Sequence, residues 1–471
     1  MGRQDQIINE KKRKLIELGK LGINPYPYKY DVKDYSNEIK DKYAKLKDNE
    51  QSKDRVKIAG RVMMIRNLGK LIFSTIQDAK GRIQIILQKG NTQQDDFDLF
   101  KKLIDAGDFV GCEGSIMKTK TGEVSVLVKK LELLSKSLLP LPEKFHGIQD
   151  KEERYRKRYL DLIMNPGVKE VFEKRGKLIE SLRQFLIKKG FLEVDTPVLQ
   201  PIAGGAIAKP FVTKYNAYDT DVYLRIAPEL YLKKLLIGGF DKVFEVSRCF
   251  RNEGVDWSHN PEFTNLEFYQ AYMEYEGLMK LTEDLIIDAV KNVNGKPIIE
   301  RDGKKILIKK PFRKITFEKL TKGKMSDEAF KEAIKKIKEP TFVINSPTKI
   351  LPLAKRNDDK TVQSFQLIIG GIELVKAFSE LNDPLDQENR FIEQAKQKKA
   401  GDEESMEHDK DFVEALKYGM PPAAGFGIGI DRFLMLITGK DSLREILLFP
   451  FMKPEKEVNE GKKKESKKNK K

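Results

Sequence analysis

Between Lys242 and Tyr275 the chain reads KVFEVSRCFRNEGVDWSHNPEFTNLEFYQAYMEY, two strands joined by a polar loop that are dense in groups able to act on a charged ligand. A period of two sets Phe244, Val246, Arg248 and Phe250 on one face of the first strand and Glu245, Ser247, Cys249, Arg251 and Glu253 on the other. The first face should pack and the second present charge. On the second strand Phe263, Asn265, Glu267, Tyr269 and Ala271 fall together. A guanidinium, carboxylates, an aromatic ring and a phenol can therefore converge on one side of a hairpin, with His259 and Asn260 in the joining loop.

Three other stretches carry chemistry. Gly204-Gly205 precede Leu224 to Tyr231, LRIAPELY, and adjacent glycines let a ligand come close to the backbone. Residues 363–380, QSFQLIIGGIELVKAFSE, read as two strands flanking Gly370-Gly371, or as one long strand with a break. Strict alternation there puts Lys376, Phe378 and Glu380 on one face and Glu373 on the other, unless a β-bulge resets the phase. Gly425 to Arg432, GFGIGIDR, sets alternating glycines on a strand before a helix of Phe433, Leu434, Leu436 and Ile437. It lacks the Lys-Ser/Thr pair of a phosphate-binding P-loop.

The elements that must position these groups follow from patterning. Residues 1–54 read as a basic helical extension, with Ile7, Ile8, Leu15, Leu18 and Leu21 among lysines and a stop at Gly22. Residues 55–137 hold five short β-rich runs, at 56–65, 71–77, 82–88, 109–117 and 124–134, with a helical piece near 97–105; they predict a small OB-type barrel. On it Arg66, Phe73 and Gln84 supply a cation, a stacking ring and an amide, the set that binds single-stranded nucleic acid. Residues 138–160 read as a linker and 161–454 as a larger α+β domain. Asn165-Pro166 supply a cap and first-turn proline for a helix from Val168 to Leu186, after which FLEVDTPVL reads as a strand. Residues 277–293 read as a helix, and 296–345 as a charged connector with a short helix near 326–338. Residues 455–471 form a Lys-rich disordered tail.

A chain of 471 residues with 39% apolar content can bury sizeable cores and is not a disordered chain. Its net charge of +17 points to a polyanionic partner, because lysine and arginine bind phosphate by releasing counterions. Two cysteines, Cys112 and Cys249, fit a reducing compartment without disulfides, and nothing resembles a secretory signal or a membrane span. A soluble cytoplasmic protein is the expectation.

The whole 242–275 stretch resembles motif 2 of the class II aminoacyl-tRNA synthetases, in particular the lysyl enzymes. Residues 174–200 look like motif 1 of that class and 425–450 like motif 3, while GRVMMIRNLGKLIFSTIQDAKGRIQ is similar to the lysyl enzymes' anticodon-binding domain. The resemblance implies a class II catalytic domain, an antiparallel sheet flanked by helices, preceded by an all-β OB-fold barrel. It implies ATP-dependent activation of L-lysine to lysyl-adenylate and transfer to tRNA(Lys), with ATP and Mg²⁺ as cofactors and a homodimer built on motif 1. By the same resemblance Arg251 grips the α-phosphate, Glu253 and the loop hold adenine, His259 and Asn260 lie along the phosphates, and Phe263 stacks on the base. Gly429 admits ATP and Arg432 holds a phosphate or the adenine face. Gly205 and Glu229 meet the substrate's α-amino group. Glu267, Tyr269 and Glu380 meet its side chain, Lys376 its carboxylate, and Glu373 with Glu380 would bind Mg²⁺. Phe73 and Gln84 read the central anticodon base, with Arg66 nearby.

Glu229, Glu267, Glu380 and the Tyr269 phenol make an anionic pocket suited to an ε-ammonium, since an uncharged rival would leave carboxylates buried and unpaired. Two departures leave alternatives open. Gln366 stands where many lysyl enzymes have a metal-binding Glu, and Lys376 where they have Asn, so Lys376 could donate to the substrate carboxylate or instead pair with Glu380 and fill the pocket. The alternatives are a synthetase-like RNA-binding protein with impaired catalysis, or an aspartyl- or asparaginyl-type class II enzyme.

Overall fold

The computed structural model describes residues 2–142, 148–165, 167–402 and 404–455. The chain divides into two compact units, Met1–Gly147 and Ile148–Lys471. The Lys-rich tail from residue 456 lies outside the described residues, as does Pro166.

In the first unit, helix α1 (Arg3–Lys20) and helix α2 (Ser36–Lys42) precede strands β1 (Gln51–Asn67), β2 (Leu71–Gln77) and β3 (Arg82–Gln88), helix α3 (Gln94–Leu103), and strands β4 (Phe109–Lys118) and β5 (Val124–Ser135). The strands close into a barrel in the order β1-β2-β3-β5-β4. Alternation explains the closure: on β2 every second residue, Ile72, Ser74 and Ile76, is buried, and β3 adds Ile83 and Ile85 to the same interior. Helix α3 adds Phe97, Phe100 and Leu103 to that interior. The basic helix α1 is docked rather than merely solvated. Its Leu18 lies in the barrel core, and the Lys11 ammonium donates to the Ala106 carbonyl at 2.9 Å and Ser137 Oγ at 2.7 Å.

In the second unit the elements that build the site are helix α4 (Val168–Lys188), strand β6 (Leu192–Glu193), helix α5 (Glu229–Ile237), strands β7 (Lys242–Phe250) and β8 (Glu262–Ala271), and helix α6 (Tyr275–Asn294). Strands β9 (Arg313–Thr316), β10 (Thr341–Ile344), β11 (Ser364–Ile369), β12 (Ile372–Ser379) and β13 (Ala423–Gly429) follow, and helix α7 (Ile430–Thr438) closes the set. The strands form one sheet in the order β9-β10-β11-β12-β13-β8-β7-β6, antiparallel except for the parallel outer pairs β9-β10 and β7-β6. One face packs under α4, α6 and α7. Phe268 stacks on Phe426 with centroids 4.4 Å apart and meets Phe191 edge-on, within a core that includes Leu178, Leu182, Leu285 and Phe433. Each such side chain contributes on the order of 1.5–3 kcal/mol by leaving water.

The Gly370-Gly371 stretch is a two-residue hairpin turn between two strands, with φ of 60° and 79° that side-chain-bearing residues rarely adopt. The expected bulge is present. The β11-β12 register passes from Leu367 opposite Val375 to Ile368 opposite Glu373, leaving Leu374 as the extra residue.

Two local expectations fail. FLEVDTPVL is not one strand: only Leu192–Glu193 joins the large sheet, and Leu199–Gln200 belongs to a separate three-stranded sheet. Pro197, lacking an N–H, lies in the break. Asn165 does not cap α4 but ends the short helix Arg158–Met164, and the N-cap of α4 is Gly167 at φ 82°.

Candidate active site

The face of the hairpin expected to present charge to water is instead roofed. Along β7, Glu245, Ser247 and Cys249 are all buried, because α5 and the segment around Leu351–Ala354 pack over that side of the sheet. Glu245 is matched by Arg225, whose Nη1 donates to its Oε1 at 2.5 Å, and by the Thr196 hydroxyl at 2.7 Å. What remains is a buried, acid-lined site.

Its walls come from three elements. On β8, Asn265 Nδ2 donates to Glu267 Oε1 at 2.8 Å, and the Tyr269 hydroxyl donates to Glu267 Oε2 at 3.0 Å. Strand pairing places Glu267 opposite Gly427 and Tyr269 opposite Gly425 of β13. Gly425 has a steric reason: a Cβ there would lie 2.1 Å from Glu380 Oε1 and 2.4 Å from the Tyr269 ring. At Gly205, with φ of 86°, a Cβ would come within 3.2 Å of Ala227 Cβ and 3.3 Å of Glu229 Cβ. Glu380, just past β12, is 1% exposed, and its Oε1 has no hydrogen-bond partner. A buried carboxylate oxygen left open is a costly feature for a fold to keep without a ligand.

A lysine does enter this cavity, but it is Lys233 of α5, not Lys376. Lys233 is 0% exposed; its Nζ donates to Glu229 Oε1 at 2.7 Å, one helical turn away, and forms an ion pair with Glu380 Oε2. Burial and the charge of Glu229 push the Glu267 carboxyl up to about 8, against the bonds from Tyr269 and Asn265. Burial also raises Glu229 and, more strongly, Glu380, each opposed by Lys233. Burial would lower the Lys233 ammonium, but Glu229 and Glu380 outweigh it and raise it. Lys233 therefore stays charged, and the protons that compensate mutual repulsion reside on the carboxylates.

At the loop end of the hairpin the groups are cationic. The Arg251 guanidinium lies over the Phe263 ring at 5.1 Å, and its Nε is buried without a hydrogen-bond partner. Asp256 accepts from the backbone N–H of Ser258 and His259 and grips His259 Nδ1 at 2.9 Å, while Arg432 Nη2 lies 3.2 Å from His259 Nε2. The Arg432 contact makes Nε2 the acceptor and fixes the proton on Nδ1, toward Asp256. Burial pushes the Asp256 carboxyl up, but the Ser258 N–H and the imidazole hold it below its ordinary value. Asn260 Nδ2 donates to the Glu262 carbonyl at 2.6 Å, and Glu253 is half-buried on the same loop. Gly429 is the N-cap of α7, and Asp431 accepts from Arg175 at 2.5 Å and from the Thr264 N–H at 2.9 Å, tying β8 to the helix that carries Arg432.

Lys376 does not pair with Glu380. The bulge at Leu374 brings it beside Glu373, with Nζ 3.8 Å from Oε1 and its side chain 44% exposed. Gln366, opposite Lys376 across the strands, donates to the same Glu373 oxygen at 3.3 Å. Glu380 cannot serve as the expected Mg²⁺ ligand, since it is sealed in the cavity and paired with Lys233. Glu373 alone, facing an amide and an ammonium, does not fit a protein-held Mg²⁺ site, which wants several anionic oxygens. Among the described residues no group of three or more His, Cys, Asp or Glu could hold a metal ion.

On the barrel, Arg66 sits opposite Phe73 across β1-β2, and Gln84 lies on the neighbouring β3. All three line one groove of about 510 Å³, with Asn49, Lys120 and Thr121 at its rim. Phe73 is half-buried and outside the barrel core, so its ring is available to that groove. Gln84 Oε1 accepts from Ser125 Oγ at 2.9 Å, which fixes the amide with its NH₂ free to donate.

Sequence reasoning missed Lys233, Gly425, Asp256 and Asn265 as members of these sites. Lys233 had a signal, a Glu and a Lys four apart in an apolar helix, which places both on one side. Gly425 and Asn265 had none beyond strand parity.

Residues 150–453 match the family model of class II tRNA synthetases (D, K and N), and residues 56–134 match that of the OB-fold nucleic acid binding domain. A lysine–tRNA ligase of Pelotomaculum thermopropionicum is 45% identical over 96% of this chain and 95% of its own. Those of Methanoculleus marisnigri, at 45% over 93% and 94%, and Thermotoga maritima, at 44% over 94% and 95%, are similar to it to the same degree.

Proposed function

The chain belongs to the class II tRNA synthetases, among the lysine–tRNA ligases, and we propose that the buried acidic site formed by β8, the end of β12 and α5 is where lysine is held for activation by ATP. The observation that carries this reading is the buried carboxylate cluster in which neither Glu380 oxygen has a hydrogen-bond partner and only Oε2 has an ion pair, with Lys233, leaving Oε1 open. An ε-ammonium supplies the missing donor and donates further bonds to Glu267 and to the Tyr269 hydroxyl oxygen. The α-amino group lies at Gly205 and Glu229. An aspartyl or asparaginyl side chain would bring no cation to this cluster.

Activation is an in-line attack of the lysine carboxylate on the α-phosphorus of ATP, forming lysyl-adenylate and releasing pyrophosphate. The carboxylate is already a nucleophile at neutral pH, so no Ser, Cys or general base is needed, and positioning with charge neutralisation supplies the rate. Arg251, with its unpartnered Nε, holds the α-phosphate. Arg432 and His259 face the departing pyrophosphate, with Asp256 fixing the imidazole. Phe263 and Glu253 flank the adenine, Asn260 orders the loop, and Gly429 lets the nucleotide approach α7. Lys376, whose ammonium is partly exposed beside Glu373, donates to the substrate carboxylate in this reading. Mg²⁺ enters this reading only as a companion of the nucleotide's phosphates, because the chain's own donors do not form a cage for it.

Transfer is to tRNA(Lys), with the barrel groove of Arg66, Phe73 and Gln84 taking an unstacked anticodon base. Exposed Ile187, Leu192, Val198 and Leu199 beside the motif 1 helix support a homodimer through that surface. Among the described residues no helix is long and apolar enough to cross a membrane, and we place the enzyme in the cytoplasm, where its tRNA substrate is. Amino-acid-dependent ATP–pyrophosphate exchange tests the reading. Lysine should drive exchange and Arg251→Ala should abolish it, whereas exchange driven equally well by aspartate, or by no amino acid, overturns it.

A further inference from the structure

Among the described residues Lys233 is the one lysine buried in the acid cluster, and its surroundings are unlike those of a lysine that merely seals a core. Its Nζ meets Glu229 and Glu380, with the Leu353 carbonyl at 3.5 Å and the Phe378 and Phe412 rings 5.7 and 6.0 Å away. Burying an ammonium is expensive, and a purely structural ion cluster is least costly when it is neutral. This one sets three buried carboxyl groups, Glu229, Glu267 and Glu380, against the single ammonium of Lys233, so in the ionised form that a cationic ligand would meet it carries two negative charges. Lysine whose carboxylate points to the nucleotide brings two ammonium groups. The excess in the cluster matches that number.

We propose that Lys233 is a positioning residue that acts as a fixed internal counter-ion, setting the cavity's charge to equal the substrate's two ammonium groups and holding Glu380 so that only its Oε1 is open to the ε-ammonium. The inference rests on the cavity being the lysine site. It assigns the division of labour within Glu380: Oε2 belongs to the protein's own lysine and Oε1 to the substrate. It also explains why α5 carries a Glu and a Lys one turn apart with both side chains turned inward.

The test uses the full chain in lysine-dependent ATP–pyrophosphate exchange across pH, with Lys233→Met as the neutral variant of similar length and Lys233→Arg as the charge-conserving one. Lys233→Met should raise the lysine KM at least about tenfold while the ATP KM moves less than twofold. The rising limb of its pH profile for lysine should move to higher pH, because an uncompensated carboxylate takes up a proton that the substrate must then displace. Lys233→Arg should keep the parent's pH profile and most of its lysine affinity. A role confined to packing would raise KM in both variants with the limb in place, and that result overturns the inference, as does a Met variant with parental KM and profile. Should the Met variant not fold, the Arg variant decides: a shifted limb, or lost lysine binding with ATP binding retained, overturns it. Absence of lysine-driven exchange in the parent would instead refute the assignment of the cavity, a different outcome from any of these.

Discussion

Replacing Gly425 by alanine adds one methyl group where the structure leaves no room for it. The new Cβ would stand 2.1 Å from Glu380 Oε1, and ordinary contact begins near 3.4 Å, so about 1.3 Å must be found. Neither neighbour can yield freely. Glu380 is held by Lys233, and Tyr269 is held through its hydroxyl to Glu267. The carboxylate is therefore pushed off the position where it would receive the substrate ammonium. Losing one charge-assisted hydrogen bond costs roughly 1.5–3 kcal/mol, which corresponds to about a 10- to 150-fold fall in kcat/KM for lysine. The overpacking itself should cost about 1–3 kcal/mol of stability, visible as a lower Tm. The assay is a lysine titration of ATP–pyrophosphate exchange at saturating ATP, with the ATP KM as internal control. A folded Gly425→Ala enzyme whose lysine KM lies within twofold of the parent's would refute the cavity geometry.

Glu267, pushed up to about 8, is protonated in the empty cavity at neutral pH, and a bound ammonium requires the carboxylate. Lysine affinity should therefore climb with pH and level off above about 8, and Glu267→Gln should flatten that climb as well as weaken binding. The same raised value means that this group's contribution to the stability of the empty protein is present below the ordinary carboxylate range and lost as pH rises through about 8, measurable as a Tm slope that the Gln variant lacks. Phe73→Ala should weaken binding of an anticodon stem-loop by roughly 5- to 150-fold, the worth of one stacked base, and leave lysine-driven exchange untouched; equal losses in both assays would argue against a role confined to the barrel groove. Lys376→Ala should raise the lysine KM severalfold, because its charge favours the ionised form of Glu229; tighter lysine binding would show that Lys376 competes with substrate instead.

Much of this protein was legible in one dimension, because the governing rules are local. Two-residue alternation on β8 assigns faces without knowing what covers them, so Glu267 and Tyr269 could be grouped correctly. The bulge before Lys376 could be anticipated because strict alternation would have separated groups that one ligand must meet. The Gly370-Gly371 pair marked an interruption that read equally as a turn or a break, and the structure makes it a hairpin in which both residues take a backbone conformation that only glycine adopts easily.

What the chain could not disclose was decided by elements distant in sequence coming together. Whether the charged face of β7 is wet depends on α5 and residues 351–354 folding over it, and that burial, not residue type, turns Glu267 and Glu380 into weak acids. Which lysine pairs with Glu380 was likewise undetermined, since Lys376 is four positions away along the chain and Lys233 nearly 150. The closer in sequence points to Glu373, and the distant one is delivered by a helix packed across the sheet. Charge sign and strand parity are properties of the sequence; dielectric, and therefore the strength and pairing of those charges, exists only once the chain has closed around them.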